Sequence, residues 1–129
     1  MEKWIKTYPK MFSKEECDGL IEWFEILDEN NQLEQTKLEG HREFDEVNLN
    51  TFREQTLKMQ LDVYKRLDDI FEKYKQDVKI HEKALPEKSA WEELRIKRYR
   101  AGIGNFLDHV DAGDSISARR FLVFFVYLN

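Results

Sequence analysis

The chain is poor in the residues and runs that mark disulfide-bonded, secreted or membrane-spanning proteins. Cys17 is its one cysteine, so no internal disulfide can form, and the apolar helical stripe around it favours a buried thiol. The longest apolar run, residues 121–128, is far shorter than the roughly 20 residues of a membrane-spanning helix. Residues 1–14 contain no apolar signal-peptide core. We therefore expect a cytoplasmic protein without a membrane segment.

Excess positive charge is missing as well. The sequence has 26 acidic and 21 basic residues, a net charge of −5 and an isoelectric point near 5.3. Sequence-independent binding to nucleic acids and anionic membranes requires a surplus of lysine and arginine. The composition therefore argues against both kinds of partner, although a local basic patch stays open at Arg95, Lys97, Arg98 and Arg100.

Length and helical periodicity predict one domain with two helices in its first part. A chain of 129 residues with 41% hydrophobic residues has the size and composition of one packed domain. Apolar positions at helical spacing predict a helix over about 14–27, opened by a capping box of Ser13 and Glu16. The same spacing predicts a long amphipathic helix over about 52–78.

Strands are expected mainly after the helices. Alternating positions predict short strands at 4–8 and 43–49, and a strand series begins at Trp91. Residues 28–42 are polar and lack periodicity, which indicates a loop that could form a lid. This order predicts an α+β domain over residues 1–129, with a helical support region over about 1–90 and a strand core over about 91–129.

The most informative pair of residues is His109 and Asp111. In an extended strand, residues i and i+2 project from the same face with their Cα atoms roughly 6.6 Å apart. An imidazole and a carboxylate can therefore converge on one ion, and two histidines with one carboxylate are the ligand set of non-haem Fe(II) oxygenases. Alone, this triplet is a weak signal, because a strand histidine is more often a surface residue or a hydrogen-bonded core residue.

The residues around the triplet resemble the prolyl 4-hydroxylase-like family of 2-oxoglutarate- and Fe(II)-dependent dioxygenases. In that family an Arg-Tyr strand end, a glycine-containing turn, an aromatic residue, His-x-Asp, an arginine and a hydrophobic strand ending in Tyr-Leu-Asn follow in this order. The matching residues here are Arg98, Tyr99, Gly102, Gly104, Phe106, His109, Asp111, Arg120 and residues 121–129.

The resemblance implies a fold, a ligand set and a reaction. The fold would be a double-stranded β-helix, a jelly roll, with the N-terminal helices packed on one sheet. His109 and Asp111 would bind Fe(II), and Tyr99 and Tyr127 would bind the cosubstrate 2-oxoglutarate, with O2 as the oxidant and ascorbate as a further candidate cofactor. The expected reaction hydroxylates a prolyl residue or another C–H bond of a peptide or small molecule. For Tyr127 alone, simple packing at a sheet edge is an equally good interpretation.

The second half of the family pattern is not in the sequence. The family's distal iron-binding histidine and the arginine or lysine that pairs with the far carboxylate of 2-oxoglutarate would follow Tyr-Leu-Asn. His41 and His81 both precede the motif, at positions from which the family does not draw that ligand. We therefore expect an incomplete jelly roll, the N-terminal portion of an oxygenase domain, which is inactive by itself.

A different class of function stays open beside the enzyme. The chain could be a non-catalytic remnant, or half of a split protein, that acts as an interaction module. Residues 119–129 have the composition of a buried strand, and an unpaired edge would favour self-association or a complementing C-terminal fragment. A reading frame that continues past Asn129 into a histidine and then a basic residue would favour the enzyme, and a stop codon there would favour the alternative.

Overall fold

The computed structural model describes residues 2–38 and 40–129. It has an α+β architecture, which confirms the predicted class. The helices are α1, Lys14–Glu29, and α2, Arg53–Val78, and the strands are β1, Glu34–Leu38, β2, Arg42–Asn48, β3, Arg95–Arg98, and β4, Asn105–Phe106. No helix in these two ranges is long and apolar enough to cross a membrane.

The contacts divide the chain into two compact units. The first unit contains the N-terminal residues up to Ser13 together with Asn48–Arg95, and therefore α2. The second contains Lys14–Val47 and Ile96–Asn129, and therefore α1 and most of the sheet. The proposed site residues all belong to the second unit.

Helix α2 confirms the long amphipathic helix, but its first turns bury polar residues. Leu67 and Val78 are buried as the helical spacing predicts, whereas Leu57 and Leu61 are exposed. Thr56 is buried instead, and its hydroxyl donates to the carbonyl oxygen of Leu49 at 3.0 Å. A threonine hydroxyl satisfied in this way loses little by burial, so polarity alone was a poor guide to the buried face.

The N-terminal segment is not the strand that its alternation predicts. Glu2–Trp4 form a 3-10 turn, and residues 5–8 lie outside any strand. The Tyr74 hydroxyl donates to the Trp4 carbonyl oxygen at 2.7 Å, and the Tyr8 hydroxyl donates to Asp77 Oδ2 at 2.9 Å. Both partners lie on α2. The segment therefore packs along a helix, where no neighbouring strand is available for ladder hydrogen bonds.

Strand β2 is the centre of the sheet in the second unit. It pairs antiparallel with β1 in a register that joins Glu34 to Glu46, and it has β3 on its other side. Short β4 also pairs antiparallel with β2, with Phe106 opposite Arg42. The prediction of a strand at 43–49 is confirmed. The predicted loop at 28–42 is wrong over Glu34–Leu38, because β1 is a polar, mostly exposed edge strand and thus has no apolar alternation.

Alternation along β2 and β3 gives the sheet two different faces. We call one the helix face: Asp45 and Arg98 pair there, and the Arg98 guanidinium lies 5.2 Å from the centre of the Phe24 ring of α1. We call the other the aromatic face, on which the Phe44 ring contacts the Tyr99 and Phe106 rings. Its members are Arg42, Phe44, Lys97, Tyr99 and Phe106. Cys17 on α1 is a free, half-buried thiol.

The predicted buried strand at 119–129 is not formed. Ser117–Arg119 make a 3-10 turn, and residues 120–129 have no regular secondary structure. Phe125 is 76% exposed and Tyr127 is 85% exposed. An apolar run becomes a strand only when a neighbour takes up its backbone hydrogen bonds, and none of the four strands in the described part of the chain does so.

Candidate metal and cosubstrate site

The His-x-Asp motif lies just beyond the end of the sheet. Strand β4 ends at Phe106, and the backbone N–H of Leu107 donates to the His41 carbonyl oxygen at 3.0 Å. Residues 107–111 are therefore not in a strand, and the strand geometry predicted for the motif is wrong. The two side chains nevertheless meet: Nε2 of His109 lies 3.2 Å from Oδ1 of Asp111.

Two contacts fix the orientation of the His109 ring. The ring stacks on Phe106 with centroids 3.7 Å apart and an angle of 15° between the planes. Its Nδ1 lies 2.8 Å from the carbonyl oxygen of Leu107. Because a carbonyl oxygen only accepts, this hydrogen bond requires the proton on Nδ1. A neutral imidazole then carries its lone pair on Nε2, the atom that faces Asp111.

His109 Nε2 and Asp111 Oδ1 are atoms of the kinds that bind metal ions, and together they make up part of a ligand set. The lone pair of Nε2 and the Asp111 carboxylate are both acceptors, and at 3.2 Å they need a cation between them, either a proton or a metal ion. Two ligands at right angles, each about 2.1 Å from a metal ion, lie about 3.0 Å apart. The donor set and its spacing therefore fit a metal ion. Within residues 2–38 and 40–129, no group of three His, Cys, Asp or Glu residues completes a site.

The loop after the motif is ordered by hydrogen bonds that the sequence analysis did not predict. Nη1 of Arg120 donates to the Asp111 carbonyl oxygen at 2.7 Å, which ties the backbone of Asp111 to the start of the terminal segment. Ser117 donates to Asp114 Oδ1 from its backbone N–H at 2.7 Å and from its hydroxyl at 2.8 Å. These hydrogen bonds lower the pKa of the Asp114 carboxyl. An Asp-x-x-Ser spacing is the signal that could have predicted this turn.

Tyr99 and His109 are joined by a continuous row of rings on the aromatic face. The Tyr99 and Phe44 ring centroids are 5.2 Å apart, those of Phe44 and Phe106 are 5.6 Å apart, and Phe106 carries the His109 ring. Burial, with a smaller contribution from the charge of Glu46, raises the pKa of the Tyr99 phenol. The phenol therefore stays protonated at neutral pH and can donate a hydrogen bond. Tyr99 is 44% exposed, so a ligand can reach it.

The other predicted or considered residues are less well placed. Tyr127 lies outside any strand and is almost fully exposed, so its role in binding 2-oxoglutarate stays a prediction. The backbone carbonyl of His41 accepts from the Leu107 N–H just before the motif, while the His41 side chain is exposed. His81 belongs to the first unit, where its Nδ1 accepts from the Lys83 N–H at 3.1 Å.

On the helix face, Arg98 holds the strand that carries Tyr99. Its guanidinium contacts Asp45 Oδ2 at 2.6 Å, Asp28 Oδ2 at 2.9 Å and Glu25 Oε2 at 3.0 Å. Burial opposes the charge, but the hydrogen bonds to Asp45, Asp28 and Glu25 outweigh it and raise the pKa of Arg98. The result is a clamp between β3, β2 and α1. Because Arg98 and Tyr99 are adjacent, the clamp on one face sets the position of the tyrosine on the other.

Comparison with known protein families, curated proteins and solved structures finds no match to this chain.

Proposed function

We propose that this chain carries part of the active site of an Fe(II)- and 2-oxoglutarate-dependent dioxygenase. The observation that supports the proposal is the approach of His109 Nε2 to Asp111 Oδ1, 3.2 Å apart. The proposal assigns iron binding to these two residues. It assigns hydrogen bonding to a carboxylate of 2-oxoglutarate to Tyr99 and Tyr127. The proposed fold is the double-stranded β-helix.

The protein's own residues would prepare the site for that chemistry. The Leu107 carbonyl selects the tautomer of His109 that binds metal through Nε2, as carbonyl or carboxylate partners of metal-binding histidines commonly do. The Phe106 ring covers one side of the imidazole and limits its rotation. Tyr99 offers a protonated phenol on the aromatic face, the face of the sheet that also carries Phe106. When bound, iron with 2-oxoglutarate and O2 would supply the oxidising power for C–H hydroxylation, with release of succinate and CO2.

The wider assignment follows from the family resemblance. The substrate would be a prolyl residue in a peptide, or another C–H bond of a peptide or amino acid, and ascorbate is a candidate reductant for the iron. A cytoplasmic location is part of the proposal, since reducing conditions there favour the ferrous state.

An interaction module is the second candidate function, supported by one observation. Exposed apolar side chains crowd the terminal segment, with Phe121, Val123, Phe125, Val126 and Tyr127 all at least 40% exposed. Concentrated apolar exposure of this kind commonly marks a surface that binds another chain. A complementing C-terminal fragment or a second copy would be the partner.

Metal binding by single-residue variants tests the proposed site. Calorimetric titration of the chain with Mn(II), a stable surrogate for Fe(II), should give weak binding, because only two protein ligands contribute. His109→Ala and Asp111→Ala should each remove the measurable binding, since each takes away half of the ligand pair. His41→Ala is the matched control, because it deletes an exposed histidine beside the same loop.

Two results would count against the proposed site. Equal Mn(II) binding by wild type, His109→Ala and Asp111→Ala would show that the metal binds elsewhere. Loss of binding in His41→Ala as large as the loss in His109→Ala would show that a third ligand has been recruited from the β1–β2 turn. Circular dichroism of each variant would confirm that the helices remain folded.

A further inference from the structure

Two cations lie on the aromatic face beside the proposed metal ligand. The Arg42 guanidinium is 4.7 Å from the centre of the Phe106 ring. The Lys97 ammonium is 4.5 Å from the centre of the Phe44 ring and 5.5 Å from that of Phe106. Arg42 and Lys97 are both exposed. His109 stacks on the same Phe106 ring. The Phe106 side chain is therefore in contact with both cations and with the candidate metal ligand His109.

The two faces of the sheet treat their cations differently. On the helix face, Arg98 and Arg100 are matched by carboxylates, and Arg100 lies 3.3 Å from Asp45 and 3.5 Å from Asp28. On the aromatic face, no carboxylate within the described ranges forms an ion pair with Arg42 or Lys97. Both cations rest on ring faces, an arrangement that restrains the side chains and leaves N–H donors for an outside acceptor.

We infer that Arg42 and Lys97 dock an acidic peptide segment on the aromatic face, next to His109 and Asp111. Two cations within 5.5 Å of one ring centre suit two carboxylates at alternate positions of an extended peptide, which project from the same side. The half-exposed Tyr99 ring adds apolar contact area for the peptide.

The docking of an acidic segment does not depend on the proposed function. Only the role of that segment as the substrate rests on the proposed function. An acidic segment held by Arg42 and Lys97 would present a neighbouring residue to the metal ligands, so it defines the substrate class as peptides with acidic residues near the target. Docking itself needs no metal. Measurements in the presence of a chelator therefore separate a failure of the docking surface from a failure of the metal site.

Fluorescence anisotropy with two matched peptides tests the docking surface. One peptide has glutamates alternating with small residues around a central proline, and the other has glutamine at every glutamate position. The glutamate peptide should bind, and binding should weaken as the ionic strength rises. Lys97→Ala and Arg42→Ala should each weaken binding by about threefold, and the double variant by about tenfold, as for exposed charge pairs. Lys65→Ala, which removes an exposed lysine of α2, should leave the affinity unchanged.

Each alternative gives a distinct result. Equal affinity for the glutamate and glutamine peptides, or equal affinities of Lys97→Ala, Arg42→Ala and Lys65→Ala, would overturn the inference. Displacement of the peptide by succinate at lower concentrations than the peptide itself requires would show a small-anion site instead. Tighter binding of a single-stranded oligonucleotide would assign the surface to phosphates and equally overturn it. Retention of binding in Lys97→Arg, with loss in Lys97→Ala, would support a charge-based role.

Discussion

Replacing Arg98 with methionine should lower the free energy of unfolding by about 2–3 kcal/mol, because it leaves carboxylates facing one another in a partly buried place. Arg98 is the only residue that contacts Glu25, Asp28 and Asp45 together in the described part of the chain. Asp45 is itself buried, so water cannot fully replace the lost cation. The expected loss is smaller than for a fully buried charge, since Glu25 is about half exposed and Arg100 still contacts Asp45.

Urea denaturation followed by circular dichroism would measure this effect. Arg100→Met is the matched control: Arg100 belongs to the same cluster, but its side chain is 52% exposed, and its loss should cost less than about 1 kcal/mol. Equal, small losses for Arg98→Met and Arg100→Met would show that the cluster is a surface network. They would also remove the argument that Arg98 fixes the position of Tyr99.

Succinate formation should fall by more than about 100-fold when His109 or Asp111 is replaced by alanine, because each variant would remove a proposed iron ligand rather than a distant contact. The assay uses the product of the complete reading frame that contains these residues, supplied with Fe(II), 2-oxoglutarate and O2. Tyr99→Phe and Tyr127→Phe should act differently. Each should leave metal binding intact and weaken 2-oxoglutarate by about 0.5–1.5 kcal/mol, the contribution of one hydrogen bond.

The pattern across these variants separates the proposed roles. A raised KM for 2-oxoglutarate with an unchanged metal affinity would identify a cosubstrate residue. If Tyr127→Phe has no effect while Tyr99→Phe does, Tyr127 would have no role in binding 2-oxoglutarate. Undiminished succinate formation by Asp111→Ala would contradict the assignment of the carboxylate as a ligand.

Helical periodicity and strand alternation predicted the elements whose burial follows a simple pattern. Helix α1 and the later turns of α2, from Leu67 to Val78, bury apolar residues at helical spacing, so the sequence was sufficient for them. Alternation also predicted strand β2, but not the burial of Asp45 beside Phe44. Strand β1 was missed because it is an exposed edge strand, held in place by backbone hydrogen bonds to β2. Such hydrogen bonds require no alternation of apolar and polar side chains, so the sequence of β1 shows none. Residues 119–129 show the opposite case, in which a strand-like composition lacks the neighbour that would complete it.

The proximity of His109 and Asp111 was predictable from their spacing, but the reason differs from the one expected. The side chains meet in a loop beyond β4, where the Leu107 carbonyl and the Phe106 ring orient the imidazole. A backbone carbonyl leaves no trace in sequence, so that contact could not be predicted. Phe106 was already part of the motif. Its role as the ring on which His109 and Arg42 both pack could not be predicted, because it depends on the pairing of β4 with β2.

Paramagnetic broadening by Mn(II) tests the central claim most directly, because it locates the metal even when binding is weak. Substoichiometric Mn(II) is added to the isotope-labelled chain, and the side-chain signals of the three histidines, Asp111 and Phe106 are followed by NMR. The account predicts that the His109 and Asp111 signals broaden first, that Phe106 follows, and that this selectivity disappears in Asp111→Ala. Broadening of His41 or His81 before His109, or the same pattern in Asp111→Ala, would contradict it.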